Sequence, residues 1–168
     1  GNGNTLGQDE AGELWVRGAP VIKGYINRPD ATAETITDGW LHTGDVAKID
    51  EHGFIYIVDR VKDMVLRGGE NIYCSEVETC LHKIGAILEC SVFGVPDNRL
   101  GEEVGVCIYL EAATSLSADD IRDFCAEHMA RHKIPKYIWF NSVPLPRNAN
   151  GKFLKRELRD SLDINAAI

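Results

Sequence analysis

Between Trp40 and Glu78 the chain reads WLHTGDVAKIDEHGFIYIVDRVKDMVLRGGENIYCSEVE, and the hydrophobic period changes within that stretch. Up to Arg60 the apolar residues alternate with polar ones or form short runs, as in strands; beyond Ser75 they recur at helical spacing. Two runs, Val46–Ile49 and Phe54–Val58, flank Asp50-Glu51-His52-Gly53, a turn signal that predicts a β-hairpin. Thr43-Gly44-Asp45 reads as a tight turn carrying a carboxylate, and Asp59-Arg60 closes a strand. A charged step, Val61-Lys62-Asp63, and a double glycine, Gly68-Gly69, separate the two regimes.

Both flanks extend this division. Glu13–Arg17 alternates like a half-buried strand, Val21–Tyr25 is a second apolar run, and Asp30 is placed to cap a brief helix through Ile36. These pieces do not close a core of their own and read as part of a larger sheet or barrel. From Val61 onward the pattern is that of an α+β domain. Ser75 and Glu78 form a capping box, and Val77, Cys80, Leu81 and Ile84 define one buried helical face. Ile87–Val95 and Val104–Leu110 are apolar strands joined by a polar loop; Ser117–Asp120 opens a second helix with inner face Ile121, Phe124, Cys125, His128 and Met129. Tyr137–Phe140 is a short strand, and Lys155–Leu162 a last basic helix.

Composition narrows the partners. With 168 residues, 26% charged, and a net charge of -8, the chain repels nucleic acid and anionic membrane surfaces. No run reaches the ~18 apolar residues of a membrane span, and the first ten residues lack the regions of a signal peptide, reading instead as a surface loop. Five cysteines without a C-x-x-C pair point to reduced, buried thiols and a reducing, cytoplasmic compartment. His128 and His132 stand four apart in a helical pattern, but no third ligand joins them, so no metal site is assigned.

Four positions carry chemistry, each with a plainer alternative. The Asp45 carboxylate can accept two hydroxyls of a vicinal diol such as ribose, or simply cap a turn. Arg60 can join it at a ribose edge, or form a surface ion pair with Asp59. Gly68-Gly69 lets backbone approach a ligand closely, or makes an ordinary β-turn. Lys152, on Pro146-Arg147-Asn148-Ala149-Asn150-Gly151-Lys152, can place an ammonium between a carboxylate and an α-phosphate, or sit in a solvated basic loop.

Taken together, these segments resemble the acyl-activating, adenylate-forming (AMP-binding) enzymes of the acyl-CoA synthetase type, from about Gly12 to Leu158. Gly12-Glu-Leu-Trp-Val-Arg-Gly18, Gly24–Thr32, Gly94-Val-Pro-Asp97 and Leu100-Gly-Glu102 contribute to the match. The resemblance implies that Asp45 and Arg60 bind the ribose of ATP and that Lys62 is the hinge about which a small domain rotates. It implies that Gly68 and Gly69 line the pantetheine tunnel of CoA, and that Lys152 supports acyl-adenylate formation. Leu66 stands where luciferases carry a lysine, which argues against light-emitting oxidation.

It further implies that residues 1–60 are the distal β-rich segment of a large adenylation domain and 61–168 a mobile C-terminal α+β domain. The Gly/Ser/Thr-rich phosphate loop, the adenine segment and the acyl pocket of such enzymes are absent from this sequence, so the chain alone is expected to be inactive. The expected partners are the N-terminal domain of the same enzyme, a carboxylic or fatty acid, ATP and CoA, with Mg2+ carried mainly on the ATP. Two alternatives are a domain loading a carrier protein and a stand-alone module docking on a separate catalytic subunit.

Overall fold

In a computed structural model that describes residues 3–168, the chain divides into two compact units, Gly1–Lys62 and Asp63–Ile168. The first unit contains β1 (Gly12–Val16), α1 (Pro29–Thr35), β2 (Ile36–Thr37), β3 (Trp40–Ile49) and β4 (Ile55–Arg60). β3 is the spine: it pairs antiparallel with β1 along one edge and with β2 and β4 along the other. The β3–β4 hairpin forms as its turn chemistry predicts. Asp50 Oδ1 accepts the amides of His52 and Phe54, both at 2.9 Å, and those bonds hold its carboxyl below the usual range despite the opposing effect of burial.

Two local expectations in this unit are corrected. Asp30 is not the cap of α1; Arg28 occupies that position without a side-chain bond, and Pro29 opens the first turn, where its fixed φ suits a helix start. Val21–Tyr25 forms no strand, and the positive φ of Gly24 interrupts the run. Among the described residues of this unit only Val46 and Ala47 are buried hydrophobics, while Phe54, Ile55, Tyr56 and Ile57 are exposed.

The second unit is built on a five-stranded sheet. It comprises β5 (Val65–Arg67), β6 (Glu70–Ile72), α2 (Cys74–Leu81), β7 (Ile87–Asp97), β8 (Gly101–Leu110), α3 (Ala118–His128), a 3-10 turn (Arg131–Lys133), β9 (Tyr137–Asn141) and α4 (Lys155–Ser161). The order is β6-β5-β8-β7, with β9 parallel to β8. That parallel pair requires a crossover, which α3 supplies. Side chains alternate across the sheet. Cys90, Val92, Val104, Val106 and Ile108 join Val77 and Leu81 of α2 and Ile121 and Cys125 of α3 in one core. Phe93, Val95, Cys107 and Trp139 face the other way and meet Leu158 of α4. The mixed α+β architecture read from the sequence is the one observed.

Four expectations in this unit are corrected. The capping box at Ser75 does not form: Tyr73 is the N-cap of α2, and Glu78 turns inward, its Oε1 taking the Val92 amide at 2.9 Å and the Lys155 ammonium at 2.8 Å. The box at Ser117–Asp120 does form. His128 lies outside the core, exposed and stacked on Phe124 with ring centroids 4.1 Å apart. α3 ends at His128 and His132 belongs to the 3-10 turn, so the two histidines do not share a helix. The strands β7 and β8 extend to Asp97 and from Gly101, leaving a tighter connection than the sequence suggested.

None of the five cysteines forms a disulfide, and all five are buried. Burial pushes the thiols of Cys90 and Cys125 up to about 12 and that of Cys107 to about 11, from 9.0. Because the folded-state values are raised, the folded chain holds protons that the unfolded chain sheds above about pH 9. Stability is therefore complete below about pH 9 and falls as pH rises toward 11–12, with each thiol contributing at most ~1.4 kcal/mol per pH unit. Urea midpoints at about pH 8 and about pH 10 check this. A midpoint that does not drop would contradict it.

Candidate functional site

In the first unit, Thr43-Gly44-Asp45 lies within β3 rather than on a tight turn. The register of β1 against β3 passes from Glu13↔Val46 to Trp15↔His42, so the three residues bulge opposite Leu14. Gly44 provides the positive φ, +72°, that such a bulge needs. Thr43 Oγ1 donates to the Leu14 carbonyl at 2.8 Å and accepts the Asp45 amide at 3.1 Å, fixing the carboxylate's base.

Asp45 is thereby aimed across the hairpin at Arg60, its register partner on β4. Arg60 Nε lies 3.0 Å from Asp45 Oδ1, whereas Asp59 Oδ1 accepts the Arg60 backbone amide. The guanidinium is thus paired with Asp45. Asp45 Oδ2 accepts no hydrogen bond among the described residues. The pair is only partly exposed, and presents one open carboxylate oxygen beside a cation, an arrangement able to take a hydroxyl donor and a neighbouring acceptor. His42 stacks on Trp15 at 4.0 Å, and its Nε2 is buried without a partner among the described residues.

In the second unit, Gly68 and Gly69 are the two central residues of the β5–β6 hairpin. Their φ values, +60° and +91°, are those of a two-residue turn with both positions left-handed. The Gly68 amide donates to the Leu100 carbonyl at 2.8 Å, and a Cβ at Gly68 would come within 3.2 Å of Leu100. At Gly69 a Cβ would meet nothing within 4 Å. The hairpin is tied to β8: Glu102 Oε2 accepts the Leu66 amide at 2.8 Å, and buried Glu103 takes Nε and, at 3.2 Å, Nη2 of Arg67. Lys136 Nζ approaches Glu103 at 3.6 Å and Asp97 at 3.2 Å. The amides of Leu100 and Arg99, then Lys136, hold the Asp97 carboxyl below the usual range against the opposing effect of burial.

Lys152 is exposed on a short hairpin loop closed by a bridge between Arg147 and Phe153. Asn148 Oδ1 accepts the Asn150 and Lys152 amides at 3.0 and 2.9 Å, and Gly151 turns the chain with φ +79°. Arg147 Nη1 donates to the Gly151 carbonyl at 2.8 Å, and Nη2 reaches Glu89 Oε1 at 3.0 Å. Glu89 Oε2 accepts the Leu145 amide at 2.7 Å. Just beyond, Lys155 Nζ donates to the Val92 carbonyl at 3.0 Å and to Glu78; burial opposes its charge, but surrounding negative groups raise its pKa above the ordinary lysine value. Lys152 itself makes no ion pair within its unit among the described residues.

The structure thus brings Asp45 and Arg60 together, and places Gly68-Gly69 and Lys152 on separate loops of the second unit. Lys62 ends the first unit. Glu102 stands in the Leu100-Gly-Glu102 segment that contributes to the resemblance, whereas the acidic anchors Glu89 and Glu103 were not singled out from sequence, although each interrupts or borders an apolar strand run, which is the signal that marks them. Among the described residues no group of three or more His, Cys, Asp or Glu side chains could hold a metal ion, and no helix is long and apolar enough to cross a membrane.

Comparison with known proteins adds to this geometry. Residues 76–152 match the family described as AMP-binding enzyme C-terminal domain. The chain is 45% identical over 157 residues to a long-chain-fatty-acid–CoA ligase of Salmonella typhimurium, covering 94% of this chain and 28% of that one. It is 41% identical over 156 residues to a 2-succinylbenzoate–CoA ligase of Geobacillus, covering 93% and 32%. The structure superposes on o-succinylbenzoate CoA synthetase from Bacillus subtilis, solved with an acyl-adenylate intermediate, with a TM-score of 0.86 and 37% identity, over 96% of this chain and 33% of that one. The chain therefore spans about a third of the length of the relatives it matches.

Proposed function

The chain belongs to the adenylate-forming (AMP-binding) enzyme family, and on that premise we propose that it is the C-terminal portion of an ATP-dependent acyl-CoA synthetase. The observation that carries this reading is the likeness, over nearly the whole chain, to a CoA synthetase solved with its acyl-adenylate. The carboxylate oxygen of the acid attacks the α-phosphorus of ATP, and pyrophosphate leaves. The thiol of CoA then attacks the acyl carbonyl of the adenylate, and AMP leaves.

Each residue set has one part in this. Asp45 accepts a ribose hydroxyl through its open Oδ2, with Arg60 holding the carboxylate oriented. Lys152 offsets the charge that accumulates as two anions approach. Lys62 is the pivot, and the Gly68-Gly69 turn, lacking side chains, admits the pantetheine arm. Residues 1–60 belong to the large adenylation domain, which supplies the remaining nucleotide contacts and the acyl pocket, and 61–168 form the mobile domain. Mg2+ travels on the ATP phosphates. Five buried cysteines outside any disulfide suit a reducing cytoplasm.

The test compares the 168-residue chain with the enzyme carrying an upstream adenylation domain. Each is given ATP, CoA and octanoate, palmitate, benzoate or 2-succinylbenzoate, and acyl-CoA is measured. The expected result is product from the longer protein alone. Product from the bare chain would defeat the proposal, as would full-length enzyme that acylates only a phosphopantetheinylated carrier. In the active enzyme, Asp45→Ala should raise the KM for ATP on the order of 10- to 100-fold with a smaller change in kcat, the signature of lost ground-state binding.

A further inference from the structure

The loops bearing Gly69 and Lys152 are anchored at opposite ends of one antiparallel hairpin. β7 and β8 pair from Ile87↔Leu110 to Asp97↔Gly101. Glu89, near the open end, holds Arg147 and the Leu145 amide; Glu102 and Glu103, near the turn, hold the Leu66 amide and Arg67. The strand between Glu89 and Pro96, the partner of Glu102, runs seven residues, about 23 Å. Sites so far apart respond to substitution independently.

Neither loop takes its placement from local sequence alone. Arg147 and Glu89 are 58 positions apart, and Leu66 and Glu102 are 36 apart. Arg147 is forked: one arm grips Glu89 and the other the Gly151 carbonyl beside Lys152, while its plane lies 3.9 Å over the Phe153 ring. Without that clamp the loop keeps its own turn bonds and the Leu145 amide stays on Glu89, but the tie between the sheet and the Lys152 end of the loop is lost. The ordering entropy would then be exacted at each turnover.

We propose that these anchors are positioning residues that serve one half-reaction each. Arg147 with Glu89 holds Lys152 for adenylate formation; Glu102 with the Arg67–Glu103 pair holds the Gly69 turn for thioester formation. This rests on the roles proposed above for Lys152 and Gly69. Its consequence is that the two half-reactions can be impaired separately by residues that touch neither substrate.

The experiment uses Arg147→Gln and Glu102→Ala in the full-length enzyme, with whichever acid of the panel above the wild type turns over fastest. Pyrophosphate release is followed in a single turnover, and thioester formation is followed from the isolated acyl-adenylate plus CoA. Amide hydrogen exchange at Gly68 and Lys152 is read in the same proteins. Arg147→Gln should slow pyrophosphate release on the order of 10- to 100-fold, spare the thioester step and speed exchange at Lys152 only. Glu102→Ala should do the reverse, speeding exchange at Gly68 only.

Equal losses in both half-reactions, exchange rising at both loops together, or unchanged rates would each overturn the proposal. Lys152→Ala, run alongside, separates the two levels of failure. If it leaves pyrophosphate release intact, the role of Lys152 itself falls and the inference falls with it. If it abolishes release while Arg147→Gln does not, only the positioning role is lost.

Discussion

Replacing Lys152 with alanine in the full-length enzyme should cut acyl-adenylate formation on the order of 10²- to 10³-fold, while thioester formation from supplied acyl-adenylate stays nearly unchanged. The magnitude is that of removing one preorganised charge or donor from a developing anionic centre. The structure gives physical grounds for so large an effect. The ammonium is exposed and makes no ion pair within its unit among the described residues, so no internal partner competes for it. Its backbone, in contrast, is fixed on both sides by Asn148, whose side chain takes the Lys152 amide and whose amide donates to the Lys152 carbonyl at 2.9 Å. An exposed loop residue has little to do with folding, so the substitution should leave thermal stability within about 0.5 kcal/mol. Single-turnover pyrophosphate release measures the first step. Comparable losses in both steps would instead indicate general damage.

The second large effect is expected at Gly69. Leucine there should suppress thioester formation at least tenfold and spare adenylate formation. Gly69 sits at φ +91°, where an L side chain costs about 1–2 kcal/mol, yet a Cβ meets nothing within 4 Å in its own unit. A leucine would therefore be tolerated by the fold and project into open space, where the proposed pantetheine arm has to pass. Gly69→Ala separates strain from obstruction, since it carries the same backbone cost with almost no reach. Alanine should retain most of the thioester rate. If alanine and leucine are equally damaging, turn geometry rather than passage is what the glycine protects.

What could be seen in the sequence was decided by how far away each residue's partners lie. Asp50 finds its partners within six positions, and the hairpin it shapes was legible. Ser117 and Asp120 bond each other across three positions, and that cap was legible too. Ser75 and Glu78 show the same local spacing, but Glu78 is recruited by Val92 and by Lys155, 77 positions away, so the cap does not form. Thr43-Gly44-Asp45 could be either turn or bulge, because both want a positive-φ glycine; the pairing with Leu14, 29 positions upstream, decides. Asp45 and Arg60 were recognisable as a pair of interest, though not as partners of each other, since Asp59 stood adjacent. The anchoring roles of Glu89 and Glu102 were not legible for the same reason, each reaching across the fold to a loop distant in sequence.

The exposed run Phe54–Ile57, leading into β4, has a consequence for the life of this chain in solution. Among the described residues β4 pairs only with β3, as an edge strand, and Phe54, Ile55, Tyr56 and Ile57 are between 49% and 64% exposed. An unpaired backbone edge beside consecutive β-prone side chains is a template for strand addition by another copy. Whenever the chain is made without something laid over that strand, its solubility is governed by concentration. The yield of soluble monomer then falls as expression rises, however well the second unit folds.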